Sequence, residues 1–157
     1  MDRPDGLTRA SIRIATLGPV GSWPVGPGTL ASALAALLWW VLPWPWLAWL
    51  GFAAAVTAVG VPVTGRAERA LGHDDGRIVI DEVAGMAVAL LAAPRTWAGV
   101  AAAFALFRVL DIAKPPPLQR LERVPGGWGV MLDDLAYGAV AALLVAGGFA
   151  LLGDGWR

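Results

Sequence analysis

The chain has 157 residues, room for one domain (1–157), no net charge, and is 57% apolar with only 15% charged residues, against about 25% charged in a soluble domain. The absence of cysteine excludes disulfides, thiolate metal sites and cysteine-nucleophile phosphatases, and the single histidine, His73, excludes enzymes that need two. Without a basic tail or net positive charge the sequence points to no nucleic-acid partner.

Met1 to Arg13 is polar, with Arg3, Arg9 and Arg13, and reads as a flexible or surface-lying start; no signal peptide is evident. From Ile14 to Gly65 no charged residue occurs, a run far longer than the ~20 apolar residues that cross a bilayer. The chain therefore reads as an all-α, polytopic bundle of about five helices in a membrane, and its nine Trp suit the membrane–water interface. Residues 14–28 are rich in Gly and Pro and read as a re-entrant or surface segment. Thr29 is placed to cap a helix from Leu30 to about Leu42. Pro43-Trp44-Pro45 makes a turn, and a second span runs from Trp46 to about Val63, ended by Pro62 and Gly65.

Arg66 to Arg77 reads as a charged loop, followed by helix three from Ile78 to Ala93 and helix four from Thr96 to about Ala113. Both are short for a full span and need shielding by neighbours or by a partner chain, which leaves a homo-oligomer open. Pro115-Pro116-Pro117 stiffens the next segment. Leu118 to Arg123 suits a short surface helix, and the last helix runs from Val130 to Leu152, beginning with Asp133-Asp134. With the amino terminus inside and five spans, ten of the basic residues fall inside, leaving Arg95 and Arg157 outside. That is a strong positive-inside bias, and it puts all the acidic sites at the cytoplasmic face of the cytoplasmic membrane.

Three acidic sites stand at apolar boundaries: Asp81-Glu82, Asp111 and Asp133-Asp134. Carboxylates beside membrane helices are costly and are usually paired or functional. Helix capping accounts for one acid near a helix start, not for adjacent pairs, and it disfavours Asp111 near a helix end. A joint metal site explains all three, and an acid-only ligand set favours a hard ion, Mg²⁺ first and Mn²⁺ second. Arg108, Asp111 and Lys114 recur at i, i+3, i+6, so Arg108 and Lys114 are candidates to bind phosphate, or to reach lipid headgroups. Gly26-Pro27-Gly28-Thr29 at a helix start could offer N–H groups to phosphate, with plain capping as the alternative. His73-Asp74-Asp75 reads as a loop turn.

These residues resemble those of the phosphatidylglycerophosphatase A family of bacterial membrane lipid phosphatases. The resemblance rests on Gly26 to Thr29, on Ile78 to Glu82 with Gly85, and on Phe107-Arg108 through Asp111, Lys114, Pro115 and Pro117. It continues in Gly126-Gly127 and in Gly129 to Asp134 with Gly138. It implies Mg²⁺-dependent removal of the terminal phosphate of phosphatidylglycerophosphate, leaving phosphatidylglycerol. Carried over residue by residue, Asp81, Glu82, Asp111, Asp133 and Asp134 are the implied metal and catalytic acids, and Arg108 and Lys114, with Thr29, the phosphate binders. The family often has His before the Gly-Gly turn, where this chain has Pro125. A CDP-alcohol phosphotransferase would need an Asp-Gly-x-x-Ala-Arg run, which neither Asp5-Gly6 nor Asp75-Gly76 begins. A small transporter or ion-coupled carrier is the non-enzymatic alternative, but it should hold its charges near the bilayer midplane on broken helices.

Overall fold

The computed structural model describes residues 5–73 and 75–152; Met1 to Pro4 of the polar start, Asp74 of the loop turn and Arg157 lie outside them. Asp5 begins the first helix, α1 (Gly6–Ala15), by accepting the Thr8 N–H at 2.7 Å. Ser11 and Ala15 face the protein, while Leu7, Arg9, Arg13 and Ile14 face outward. The surface-lying reading of the start therefore takes the form of an amphipathic helix.

The second helix, α2 (Pro27–Val41), starts with Gly26 in the left-handed region (φ 60°) and Pro27 at its first position. Pro there needs no N–H and carries a helical φ already. The expected cap at Thr29 is overturned: Thr29 sits inside the first turn, exposed, and no side chain caps this helix. The cause is the earlier start that Gly26-Pro27 imposes.

The third helix, α3 (Trp46–Leu71), runs straight through the expected stop at Pro62. Proline withholds one N–H from the ladder, but Val63, Thr64, Gly65 and Ala67 are all buried, and α3 packs against α1 and α6. That burial carries the helix on by two turns. Arg66, Glu68 and Arg69, expected in a loop, ride on helix instead.

The fourth helix, α4 (Ile80–Leu90), is only 11 residues, about 16 Å long, against a hydrocarbon layer of about 30 Å. It is the centre of the bundle, packed against α2, α3, α5 and α6, with eight buried residues. A short third apolar helix shielded by its neighbours is what the sequence leads us to expect. Among the described residues two helices, α3 and α6 (Gly127–Leu152), are long and apolar enough to cross a membrane, and only 28% and 22% of their most apolar windows are buried. The fifth helix, α5 (Trp97–Ala113), is capped by Thr96, whose hydroxyl accepts the Gly99 N–H at 3.1 Å, and stops at Lys114 in a left-handed conformation (φ 44°). Leu118–Arg123 forms the expected short helix, as a 3₁₀ turn. Among the described residues there is no strand.

One end of the bundle is aromatic. Trp39 and Trp49 meet edge-on at 5.0 Å, Trp49 stacks on Phe52 at 4.9 Å, and Trp49 Nε1 donates to the Ala87 carbonyl at 3.0 Å. Arg95 lies 4.6 Å from the Trp39 ring centroid and donates to the Trp39 and Leu42 carbonyls. A cation on the last carbonyls of α2 also suits that helix's dipole.

The opposite end is acidic, and glycine contacts set its geometry. A Cβ on Gly138 would stand 2.2 Å from the Gly85 carbonyl oxygen, and one on Gly85 would stand 2.6 Å from the Asp134 carbonyl oxygen. Close glycine contacts of this kind let two helix backbones touch. Gly127, with the Val61 carbonyl where a Cβ would be, starts α6 three residues before the expected Val130. Asp133 and Asp134 therefore lie beyond the first turn, and capping does not explain them.

Gly138→Ala is expected to destabilise the protein by about 1–3 kcal/mol, the usual range for overpacking, because backbone rather than a flexible side chain blocks the new methyl. Thermal unfolding in detergent checks this, with Gly147→Ala, which meets nothing within 4 Å, as the variant expected to leave stability unchanged or slightly raised.

Candidate functional site

The acidic end encloses a cavity of about 370 Å³. Five chain segments converge on it: Glu68 from α3, His73 and Asp75 from the following loop, Asp81 and Glu82 from α4, Arg108 and Asp111 from α5, and Asp133 and Asp134 from α6. Lys114 and Glu122 complete one side. All five predicted acids and both predicted cations therefore share one cavity. Thr29 does not line it, so its sequence-based role at the phosphate is not supported. The part of α2 that reaches this end is Gly28: a Cβ there would fall 1.9 Å from Glu82 Oε1. Only glycine lets the first turn of α2 meet that carboxylate, where the positive end of the helix dipole favours it.

The acids are not equivalent. One ligand atom from each of Asp81, Glu82 and Asp134 lies within 4.8 Å of the others. Asp111 instead accepts from the Arg108 guanidinium, a pair three residues apart on α5. Asp133 is 5% exposed and Asp134 3%. Asp81 Oδ1, Glu82 Oε2, Asp133 Oδ1 and Asp134 Oδ2 are all buried without a hydrogen-bond partner. A buried carboxylate oxygen left unpaired is costly. Four such oxygens on one cavity, with the carboxylates of Asp81, Glu82 and Asp134 close enough to share an ion, fit a hard divalent cation of the Mg²⁺ type.

The basic side is graded in the same way. Arg108 pairs with Asp111 and reaches Ser32 Oγ at 3.5 Å, while Ser32 donates to the Gly28 carbonyl at 2.8 Å. Arg108 Nε is buried and has no partner, so the guanidinium keeps a donor for an anion. Lys114 Nζ pairs with Glu122, which the sequence placed only on a surface helix. Arg120 and Arg123 of that helix are exposed and do not line the cavity. At the rim, His73 pairs with Glu68. Arg77 holds Asp75 with hydrogen bonds at 2.6 and 2.8 Å, and these bonds keep the Asp75 carboxyl below its ordinary range. A depressed carboxylate stabilises the fold above its unfolded pKa, and that contribution is lost as pH falls through the folded value.

Sequence reasoning missed Ser32 and Tyr137. Ser32 is the polar residue of α2 one turn beyond Gly28, and it is fully buried. Tyr137, the only tyrosine, lies one turn beyond Asp133, fully buried with an unpartnered hydroxyl. Each could have been found as an isolated polar group in an apolar run.

A family model described as Phosphatidylglycerophosphatase A matches residues 13–149. The chain belongs to that family. A Bacteroides thetaiotaomicron protein named "Putative phosphatidylinositol-3-phosphatase" is 37% identical over 93% of this chain and 96% of its own. Two proteins named Phosphatidylglycerophosphatase A are similar as well. The Escherichia coli one is 37% identical over 78% of this chain and 73% of its own, and the Haemophilus influenzae one 33% identical over 85% and 90%. No solved structure matches the chain. As a member of the phosphatidylglycerophosphatase A family the chain is a phosphatase, a phosphoric monoester hydrolase. Pro125, where the family often has His, is exposed and does not line the cavity.

Crowded carboxylates repel one another when no cation is bound. Glu82→Gln is therefore expected to raise the melting temperature in EDTA by about 3 °C, roughly 1 kcal/mol for a chain of this size. Arg108→Ala is expected to lower it, because Asp111 then stays buried without its partner. Differential scanning fluorimetry of both variants beside wild type reads the two signs.

Proposed function

We propose that the protein hydrolyses the terminal phosphomonoester of phosphatidylglycerophosphate, with Mg²⁺, to phosphatidylglycerol and phosphate. The observation that carries this reading is the convergence of Asp81, Glu82 and Asp134 with unpartnered buried oxygens, beside an arginine that keeps a free donor. A lipid substrate suits a site at one end of a bundle whose two long helices leave most of their apolar surface uncovered. We place the chain in the bacterial cytoplasmic membrane with the acidic end toward the cytoplasm, which agrees with the positive-inside distribution of its arginines.

A bound Mg²⁺ would be held by Asp81, Glu82 and Asp134, and would supply positive charge to the phosphoryl oxygens. The protein's own groups do the rest. Arg108 offers Nε to a phosphoryl oxygen while Asp111 and Ser32 fix its plane. Lys114, set at the cavity wall by Glu122, adds a second positive charge for the dianionic ester. Asp133 is outside the three-carboxylate group and has an unpartnered oxygen in the same cavity. We assign it to orient the attacking water and take its proton. A bond forms from the water oxygen to phosphorus as the bond to the glycerol oxygen breaks, and the proton that Asp133 took from the water is returned to the leaving oxygen. Trapping of phosphate on an aspartate would replace this direct attack with a covalent route.

Phosphate release from phosphatidylglycerophosphate by purified protein is expected to require Mg²⁺ and to stop in EDTA. Asp81→Asn and Asp134→Asn should each lose at least about a hundredfold in kcat, the scale of lost electrostatic stabilisation. Mg²⁺ should raise the melting temperature of wild type and not of Asp134→Asn, since a cation stabilises only a fold that binds it. Phosphatidylinositol 3-phosphate in the same assay decides between the two headgroups named among the relatives. Release from that lipid alone would move the substrate assignment there, and release from neither by folded protein would favour the carrier reading.

A further inference from the structure

A second cavity, of about 320 Å³, opens on the side of the bundle between α2 and α5. Its lining is wholly apolar: Ala33, Ala36, Leu37 and Trp40 from α2, and Trp97, Val100, Ala101 and Phe104 from α5. Trp40 and Trp97 stack at 4.2 Å and close the end of the groove nearest the aromatic pole. The groove exists because the residues between the two helices there are small, with Ala33 and Ala101 both exposed to it.

Its other end leads to the acidic cavity. On α5, Trp97, Ala101, Phe104, Arg108 and Asp111 recur at four- and three-residue steps and form one stripe. The first three line the groove and the last two line the acidic cavity. On α2, Ala36 of the groove sits one turn beyond Ser32, which touches Arg108. Thr29, which takes no part in the acidic cavity, lies on the α2 stripe that continues through Ala33 and Ala36 to Trp40. The apolar path from Phe104 to Trp97 is seven residues of helix, about 10 Å.

We propose that this groove is an acyl-chain subsite for the phosphomonoester lipid whose headgroup enters the acidic cavity. The proposal rests on the lipid-phosphatase reading above. Bulk lipid gains little by entering an apolar groove, because hydrocarbon is already its surroundings. A lipid held by its phosphate is different: its chain is tethered beside the groove at a high effective concentration. Arg108 is the joint between the two, with its guanidinium on the acidic cavity and its helix stripe continuing into the groove. Seating the chain there adds binding energy for the whole lipid and keeps its headgroup at the acidic cavity.

The test fills the groove with Ala33→Phe and Ala101→Phe, both at exposed positions that leave the bundle's buried core unchanged. Leu143→Phe, exposed on α6 away from the groove, is the control. Hydrolysis of dioleoyl and dihexanoyl phosphatidylglycerophosphate is measured in mixed micelles. The groove variants should raise KM for the dioleoyl lipid roughly tenfold with kcat little changed, the mark of lost substrate binding, and leave the dihexanoyl lipid and the control unaffected. Equal effects on both lipids, or none on either, in active protein would overturn the subsite and leave the phosphatase reading standing. A wild type that hydrolyses neither lipid overturns the phosphatase reading itself. A dioleoyl analogue carrying a diazirine on one chain should crosslink to residues 33–40 and 97–104 and be displaced by unlabelled lipid of the same headgroup. Crosslinks spread over all the exposed helices, or a groove variant that changes only the protein's mass by sedimentation, would assign the groove to bulk lipid or to a second copy instead.

Discussion

The structure depends on bringing buried carboxylates together where α4 meets α6. Like charges out of water repel and lose their hydration, so nothing in the acids themselves holds this end closed. The backbone contact between Gly85 and Gly138 does. It lies one turn beyond Asp81 and Glu82 on one helix and one turn beyond Asp134 on the other, so the closeness of the helices becomes the closeness of the carboxylates. The short α4 can serve because four neighbouring helices surround it and no face of it has to meet lipid alone.

The cations are arranged to support that cluster without cancelling it. Arg108 pairs with Asp111 and Lys114 with Glu122, both acids outside the three-carboxylate group. Asp81, Glu82 and Asp134 keep unpartnered oxygens. An internal salt bridge to any of these three would have filled the place of a metal ion. The opposite pole is built from another chemistry: Arg95 lies against the Trp39 ring and caps the end of α2, a cation satisfied by carbonyls and an aromatic face. One end of the bundle is thereby closed and the other left reactive.

The seam between α2 and α5 shows how the two environments connect. Ser32 and Arg108 link the helices near the acidic end, while the small residues at 33, 36 and 101 leave the seam unfilled further along. A polar contact and an apolar gap on the same pair of stripes suit an amphipathic ligand, charged at one end and hydrocarbon at the other.

Much of this was legible in the chain. The all-helical class followed from a charge-free run too long for anything but apolar helices, and the three acidic sites stood out because carboxylates at apolar boundaries need a reason. The i, i+3 spacing put Arg108 and Asp111 on one helix face, since residues three apart share a face whatever surrounds them, and the structure shows that there they pair with each other. Pro62 misled because a local stop signal was overruled by burial of Val63, Thr64 and Ala67, and Thr29 because Gly26-Pro27 moved the helix start. The sequence by itself determined which residues are charged, which are apolar, and which neighbours along a helix must meet. Only the tertiary structure decided that Asp81, Glu82 and Asp134 form one group, that Lys114 goes to Glu122, and that Gly28 rather than Thr29 reaches the site. Those choices depend on the approach and rotation of separate helices, which contacts between residues distant in the chain fix and local spacing does not encode.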